Sequence, residues 1–263
     1  MTNANSLQLV NERTWFSGFT NMWHKESKRW WGSRFGLWQI AIWFFIINGI
    51  NSMILIAEPS AAVAALIPLA SMFSLIGAVI LAQGAIIGEK QLSTAAWVLS
   101  APVSRNAFLI SKWLTLILGC LATMIVLPYA IAYLEFSLVP DIIVPVTSFL
   151  TATGISALHL AFYLCLTLML GTLFNSRGPV MGIPLAVFFG GMILIGATVT
   201  VDGVTRSLLP PWLLNLTPWP LTDTAVALVQ TQSMVSLVPI IATAWWSIIF
   251  VLLALWRFQR EEF

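Results

Sequence analysis

Charged residues are scarce in this chain. Lys, Arg, Asp and Glu together make up 8% of its 263 residues, whereas a soluble domain carries about 25%. This scarcity, with a hydrophobic fraction of 59%, excludes an ordinary soluble fold and indicates an integral membrane protein. A formal net charge of +2 is too small to suggest nucleic-acid binding. The two cysteines, Cys120 and Cys165, both lie in apolar runs, so we expect no disulfide framework.

Motifs for energy conversion and catalysis are also missing. The chain has no G-x-x-x-x-G-K-[ST], so it cannot bind ATP through a phosphate loop. H-E-x-x-H, G-x-S-x-G and C-x-x-C are absent too. We place no carboxylate near a bilayer midplane, where proton- or ion-coupled transporters usually carry ionisable groups. His159 is the one titratable candidate deep in a span, and packing is favoured over proton transfer as its role. We therefore expect a non-catalytic chain without a metal or cofactor of its own.

Six apolar segments are each long enough to cross a bilayer, which takes about 20 residues. Only helices fit, because an open sheet would leave backbone groups unsatisfied in lipid. The predicted fold is an all-α integral membrane protein forming one transmembrane domain over residues 1–263. Prolines inside spans, such as Pro128, should kink them while neighbouring groups satisfy the freed carbonyls. The predicted spans are 37–57, 62–87, 108–134, 146–174, 180–200 and 235–256.

The basic residues predict the orientation. With both termini in the cytoplasm, every Lys and Arg except Arg206 falls on the cytoplasmic side, and that bias favours this topology. We expect a multi-pass protein of the plasma or inner membrane of a prokaryote. The segment from about 201 to 234, rich in proline and tryptophan, is expected to form one or two short helices that dip into the outer leaflet. An ordinary external loop is the alternative.

The N-terminal segment, 14–36, is predicted to be a helix in the membrane interface. On a helical wheel an aromatic arc opposes Lys25 and its polar neighbours, a pattern typical of interfacial helices. Glu26 interrupts the arc and could pair with Arg29, three residues later. A solvated lead-in to the first span is the alternative. The arc consists of Trp15, Phe16, Phe19, Met22, Trp23 and Trp30.

A charged amphipathic insert, 88–105, separates the second and third spans. A helix over about 93–101 is predicted, with Ser93 or Thr94 as N-cap and Pro102 ending it. Ser104 can cap the next helix. A short rigid helix on a membrane face suits a handle that a partner moves, and this chain has no visible energy source. A separate ATPase is therefore expected. Lys112, near the inner end of its span, is expected to snorkel to the lipid headgroups.

Three places in the sequence resemble the ABC-2 type permeases, the membrane subunits of ATP-binding cassette exporters. The first is the pair Lys25-Glu26, followed by further basic residues. The second and most specific runs from Glu89 to the Pro-Val-Ser-Arg that ends at Arg105, with Lys112 beyond it. The third is Pro220-Leu221-Thr222 before the last span. Ser93 replaces the glycine that is usual in the family.

The resemblance implies an assembly of two permeases, as a homodimer or homologous heterodimer in membrane lipid, with two ATPase subunits that bind ATP and Mg²⁺. Residues 93–101 would form the coupling helix seated in a groove of the ATPase. Trp97, Val98 and Leu99 are the candidate buried anchors, since aromatic anchors dominate interface energetics. Glu89 and Arg105 would make rim or headgroup contacts. The alternative is that Trp97 only anchors the loop in lipid.

In such exporters the second and fifth spans face the dimer axis. The candidate substrate path is therefore lined by Ser71, Met72, Phe73, Ser74 and Phe188, although tight packing of small residues explains the same pattern. An apolar lining suits a lipid, a hydrophobic peptide or an amphipathic drug. Export is the first choice of function. A subunit that transmits ATPase motion to an extracytoplasmic partner is the alternative, and a membrane-embedded enzyme or a proton-coupled carrier is disfavoured.

Overall fold

A computed structural model of the protein describes residues 17–91, 103–140, 142–196, 198–201, 204–231 and 236–260. Its described residues contain six helices long and apolar enough to cross a membrane, which confirms the predicted helical membrane fold. A shorter helix, α1 (Phe19–Trp31), precedes them. The six are α2 (Arg34–Ala57), α3 (Pro59–Gln91), α4 (Arg105–Ser137), α5 (Val146–Leu173), α6 (Arg177–Gly196) and α9 (Val238–Gln259).

Helix α5 lies at the centre of the bundle and is the most buried of the six. It packs against α3 and α9. Helices α2, α6 and α9 expose most of their apolar surface, and Trp245 and Leu252 of α9 are among the exposed side chains. In a protein that spans a bilayer, such faces meet lipid or another membrane subunit.

Near the proline in α4, neighbouring side chains satisfy backbone carbonyls as predicted. Pro128 lacks an N–H, which leaves the carbonyl of Met124, four residues earlier, without its usual donor. Ser74 of α3 donates its hydroxyl to that carbonyl at 3.1 Å. Asn48 of α2 donates its side-chain amide to the Pro128 carbonyl at 2.8 Å. Polar side chains from two neighbouring helices thus satisfy the irregular backbone of α4.

Glycines allow two tryptophans to pack closely against neighbouring helices. The indole of Trp43 in α2 lies over Gly77 of α3, and that of Trp30 in α1 lies over Gly119 of α4. A Cβ at either glycine would collide with the ring. The expectation that small residues on the second span serve close helix packing is supported at Gly77.

The helices alternate in direction, so one end of the bundle collects the basic residues of α3, α4, α6 and α9; this is called the basic end below. Polar contacts connect the helices there. Lys90 Nζ donates to the Thr172 carbonyl at 3.1 Å, and an Arg105 guanidinium nitrogen donates to the Gln259 carbonyl at 2.6 Å. The first contact connects α3 to α5, and the second connects α4 to α9.

The chain between α6 and α9 lies at the opposite end. It begins with an antiparallel pair of short strands, β1 (Thr198–Val201) and β2 (Val204–Ser207). The predicted fifth span continued to 200, but α6 ends at Gly196 and the β-branched run that follows favours a strand. Two helices follow, α7 (Pro211–Leu214) and α8 (Pro220–Thr231). They lie where short helices were predicted, and their depth in a membrane stays a prediction.

Candidate functional site

Lys112 forms two ion pairs at one point of the described structure. Its Nζ lies 2.7 Å from Oε1 of Glu26 in α1 and 2.7 Å from Oε1 of Glu89 in α3. The Lys112 side chain is 3% exposed, against 11% for Glu26 and 18% for Glu89. We call these three residues the Lys112 triad. Two expectations were wrong: Lys112 does not reach the headgroups, and Glu26 pairs with Lys112 rather than with Arg29.

Burial explains this arrangement. An ammonium group removed from water is costly unless opposite charge compensates it. Two carboxylates do so here, and the Phe108 ring lies 5.1 Å below the ammonium nitrogen. Because the two carboxylates belong to different helices, Lys112 fastens α1 and the last turn of α3 to the start of α4. Glu89 therefore has a place within the permease itself, in addition to any contact with a partner.

A second attachment joins the N-terminal region to the start of α4. The Ser104 N–H donates to the Ser17 carbonyl at 3.0 Å. Gly18 has φ 78°, a conformation that favours glycine, and a Cβ there would lie 2.9 Å from Cγ2 of Val103. The predicted cap at Ser104 is confirmed, since its hydroxyl accepts the Ala107 N–H at 3.1 Å. The N-terminal region thus contacts the chain that follows residues 92–102, and Lys112 joins that chain to Glu89, which precedes them.

The predicted coupling helix lies outside the described residues. This applies to Ser93, Thr94, Trp97, Val98 and Leu99, and their role stays a prediction. Of the two flanking candidates, Glu89 belongs to the Lys112 triad and Arg105 binds the end of α9.

Helix α1 exists where the interfacial helix was predicted. Phe19 and Trp23 are half-buried and stack at 6.1 Å, whereas Lys25 and Arg29 are exposed. Trp30, which was placed on the membrane-facing arc, is buried against α4 instead. Buried Met22 departs from that arc in the same way. Trp15 lies outside the described residues. The location of α1 in the membrane interface stays a prediction.

A cavity of about 270 Å³ lies toward the opposite end, between α3, α5, α6 and α8. We call it the Asp223 cavity. Its polar lining consists of Ser71, His159, Thr222 and Asp223, with the Trp219 indole beside them, and its apolar lining includes Phe188. The cavity brings together two of the five predicted path residues, Ser71 and Phe188.

The other three predicted path residues lie elsewhere. Ser74 is fully buried and donates to the Met124 carbonyl, which is a structural role. Met72 and Phe73 are half-buried and do not line the cavity. Ser71 and Ser74 are three residues apart and lie on one side of α3, whereas the side chains of Met72 and Phe73 point elsewhere, so the four cannot all line one surface.

Asp223 was not identified from the sequence as a site residue. It lies in the first turn of α8, at the mouth of the cavity, where its side chain is accessible. The surrounding protein removes enough water to raise the pKa of its carboxyl above the ordinary value. No described residue forms an ion pair or a hydrogen bond with this carboxylate. An acidic residue directly after Pro-Leu-Thr was the available signal, because it predicts the first turn of a helix.

His159, the titratable candidate of α5, lies deeper in the same cavity and is 3% exposed. Its ring contacts Tyr163 edge-on at 5.1 Å and Phe188 at 6.0 Å. Within the described ranges the imidazole makes no hydrogen bond, so the expectation of a hydrogen-bonded packing residue is supported only for the packing.

These features define a class: a multi-pass helical membrane protein whose polar contacts gather at one end and whose cavity lies toward the other. The particular family follows from the sequence as a whole. A family model described as "ABC-2 family transporter protein" matches residues 7–263. The chain therefore belongs to the ABC-2 transporter family. A search of curated proteins found no significant match.

Proposed function

We propose that this chain is the permease subunit of an ATP-binding cassette exporter that moves a hydrophobic or amphipathic substrate outward. A separate ATPase subunit supplies the energy, and the working assembly contains two permeases and two ATPases. The family and the six spans support this proposal. So does the lack of a phosphate loop, because the chain needs a partner to use ATP.

The observation that carries the coupling mechanism is the attachment on both sides of residues 92–102. Before this segment, Glu89 pairs with Lys112. After it, Lys112 also pairs with Glu26, and Ser104 and Val103 contact Ser17 and Gly18. A force that an ATPase applies to residues 93–101 would therefore reach α1, α3 and α4 together. Separating a buried ammonium from its carboxylates is costly, so these three helices would move as one unit.

In this proposal the basic end faces the cytoplasm, where the ATPase is, in accordance with the bias of basic residues. The Asp223 cavity then lies in the outer half of the protein. Motion of α3 would reach this cavity directly, because Ser71 lies on the same helix as Glu89. One continuous helix thus connects the candidate ATPase contact with the candidate substrate site.

ATP hydrolysis tests whether a separate subunit supplies the energy. The purified chain is expected to hydrolyse no ATP, whereas an ATPase of separate sequence that contains a phosphate loop should copurify with it from its native membrane. A variant lacking residues 93–101 serves as the control and should retain no ATPase. Robust hydrolysis by the pure chain would contradict the proposed function.

A further inference from the structure

The Asp223 cavity combines one carboxylate with largely apolar and aromatic walls. We propose that it binds an amphipathic cation, with the cationic head at Asp223 and the apolar body against Pro68, Met192 and Ile195. This inference rests on the proposed function and names its substrate class. The relevant chemistry is a quaternary ammonium or phosphonium group, or a protonated amine, joined to an apolar portion.

The charge of the cavity lining favours a cation. Asp223 is the one formally charged residue among the described residues that line the cavity, and no lysine or arginine is among them. Within the described ranges its carboxylate has neither an ion-pair partner nor a hydrogen-bond donor. A carboxylate in a partly dehydrated place is stabilised by a positive charge and repels an anion. The cavity therefore discriminates by charge in favour of cations.

The aromatic walls of the cavity favour an organic cation. The face of an indole or phenyl ring attracts a cation, most strongly where water is excluded. Trp219 is held in place because its Nε1 donates to the Val187 carbonyl at 3.0 Å and its ring lies over Gly191. Phe188 lies on the facing helix, α6. A fixed indole beside a carboxylate suits a bulky organic cation better than a compact hydrated one.

The remaining lining decides the shape of the ligand. Met192, Ile195 and Pro68 complete an apolar surface that suits the body of an amphipath. His159 lies in the buried part and has no hydrogen bond within the described chain, so its imidazole can contact a polar substituent. A metal ion does not fit as well, because Asp223 and His159 are the only strong ligands in the lining, and metal sites generally use three or more.

Two probes of the same shape and opposite charge test the proposal, tetraphenylphosphonium and tetraphenylborate. Equilibrium dialysis with the purified chain, in nanodiscs of zwitterionic lipid, should show saturable binding of the phosphonium with one site per chain. Asp223→Asn should weaken this binding at least about tenfold, because it removes the charge that pairs with the ligand. Asp223→Glu should remain within about threefold of the original, because it keeps that charge. Tetraphenylborate should show no saturable site.

Glu58→Gln is the matched control, since Glu58 is an exposed acid at the same end and does not line the cavity. It should leave phosphonium binding unchanged. Gly196→Leu is a second variant that keeps the charge. Gly196 lines the cavity with open space at its Cβ position, so a leucine there should fold and obstruct the ligand.

Unchanged phosphonium affinity in Asp223→Asn would overturn the proposal, and so would an equal loss in Glu58→Gln, which would indicate a general surface-charge effect. If tetraphenylphosphonium shows no saturable binding while the ATPase copurifies normally, the substrate class alone is refuted. If tetraphenylphosphonium binds as expected but no ATPase copurifies, the export function is refuted and the cation site stands.

Discussion

Removing both carboxylates of the Lys112 triad is expected to destabilise the protein far more than removing either one. Glu26→Gln leaves Lys112 paired with Glu89, and it also removes the repulsion between two carboxylates that approach the same nitrogen. Each single change should therefore cost less than about 1 kcal/mol, a value typical of partly exposed pairs. The double change leaves an unpaired ammonium that is 3% exposed, and breaking such a pair costs about 3–5 kcal/mol. The two substitutions should thus couple by about 2 kcal/mol.

The assay is the free energy of unfolding of the purified permease, from denaturant titration in mixed micelles. Arg177→Gln, a change at an exposed position of the same end, should have little effect. Adding Lys112→Met to the double variant should restore much of the lost stability, because no buried charge then remains. Additive effects of the two carboxylate changes, with no recovery in the triple variant, would refute the idea that Lys112 holds three helices together.

Gly191→Ala should displace the Trp219 indole and cost about 1–3 kcal/mol of stability, a typical penalty for overpacking. Thermal unfolding and phosphonium binding measure the effect. An unchanged midpoint of thermal unfolding would contradict the packing described for α8. A cysteine at Ser100 should resist an impermeant thiol reagent in intact cells and one at Ser207 should react, because the basic end is expected to face the cytoplasm. Labelling at Ser100 from outside would overturn that orientation.

The six spans could be predicted from the sequence because length and hydropathy determine whether a helix can cross a bilayer. The Lys112 triad could not. Glu26 and Lys112 are 86 residues apart, and Glu89 and Lys112 are 23 apart. Local spacing offered Arg29 as the partner of Glu26 and the headgroups as the destination of Lys112. Tertiary packing decided both, because α1 lies against α4 and brings Glu26 to the ammonium.

The Asp223 cavity, too, could be predicted only in part. Ser71 and Phe188 were predicted as path residues from the likeness to a family, and they do line one cavity. Asp223 was missed because it lies in the segment from about 201 to 234, which was expected only to dip into the outer leaflet, and nothing local indicates that α8 packs against α3 and α5. The prediction for part of the aromatic arc of α1 was wrong about what those residues contact. Its periodicity predicts an apolar face, and the sequence does not say whether that face meets lipid or protein.

The central claim is that residues 93–101 are the contact through which an ATPase drives this permease. Trp97→Ala removes the largest apolar anchor of the predicted coupling helix. Truncating such an anchor costs about 2–4 kcal/mol of interface energy, which is roughly a 30- to 1,000-fold loss of affinity. Trp97→Asp should be worse, because it would bury an unpaired charge. The fold should survive both changes, since the six spans are stabilised by their own packing and by the bilayer.

The decisive measurement is the amount of ATPase that copurifies with each variant at matched expression. Trp212→Ala provides the control, because Trp212 is an exposed tryptophan at the opposite end, 66% exposed. We expect strongly reduced ATPase with Trp97→Ala, none with Trp97→Asp, and normal amounts with Trp212→Ala. Undiminished ATPase binding and ATPase activity in both Trp97 variants would contradict the account, and would indicate that Trp97 only anchors the segment in lipid.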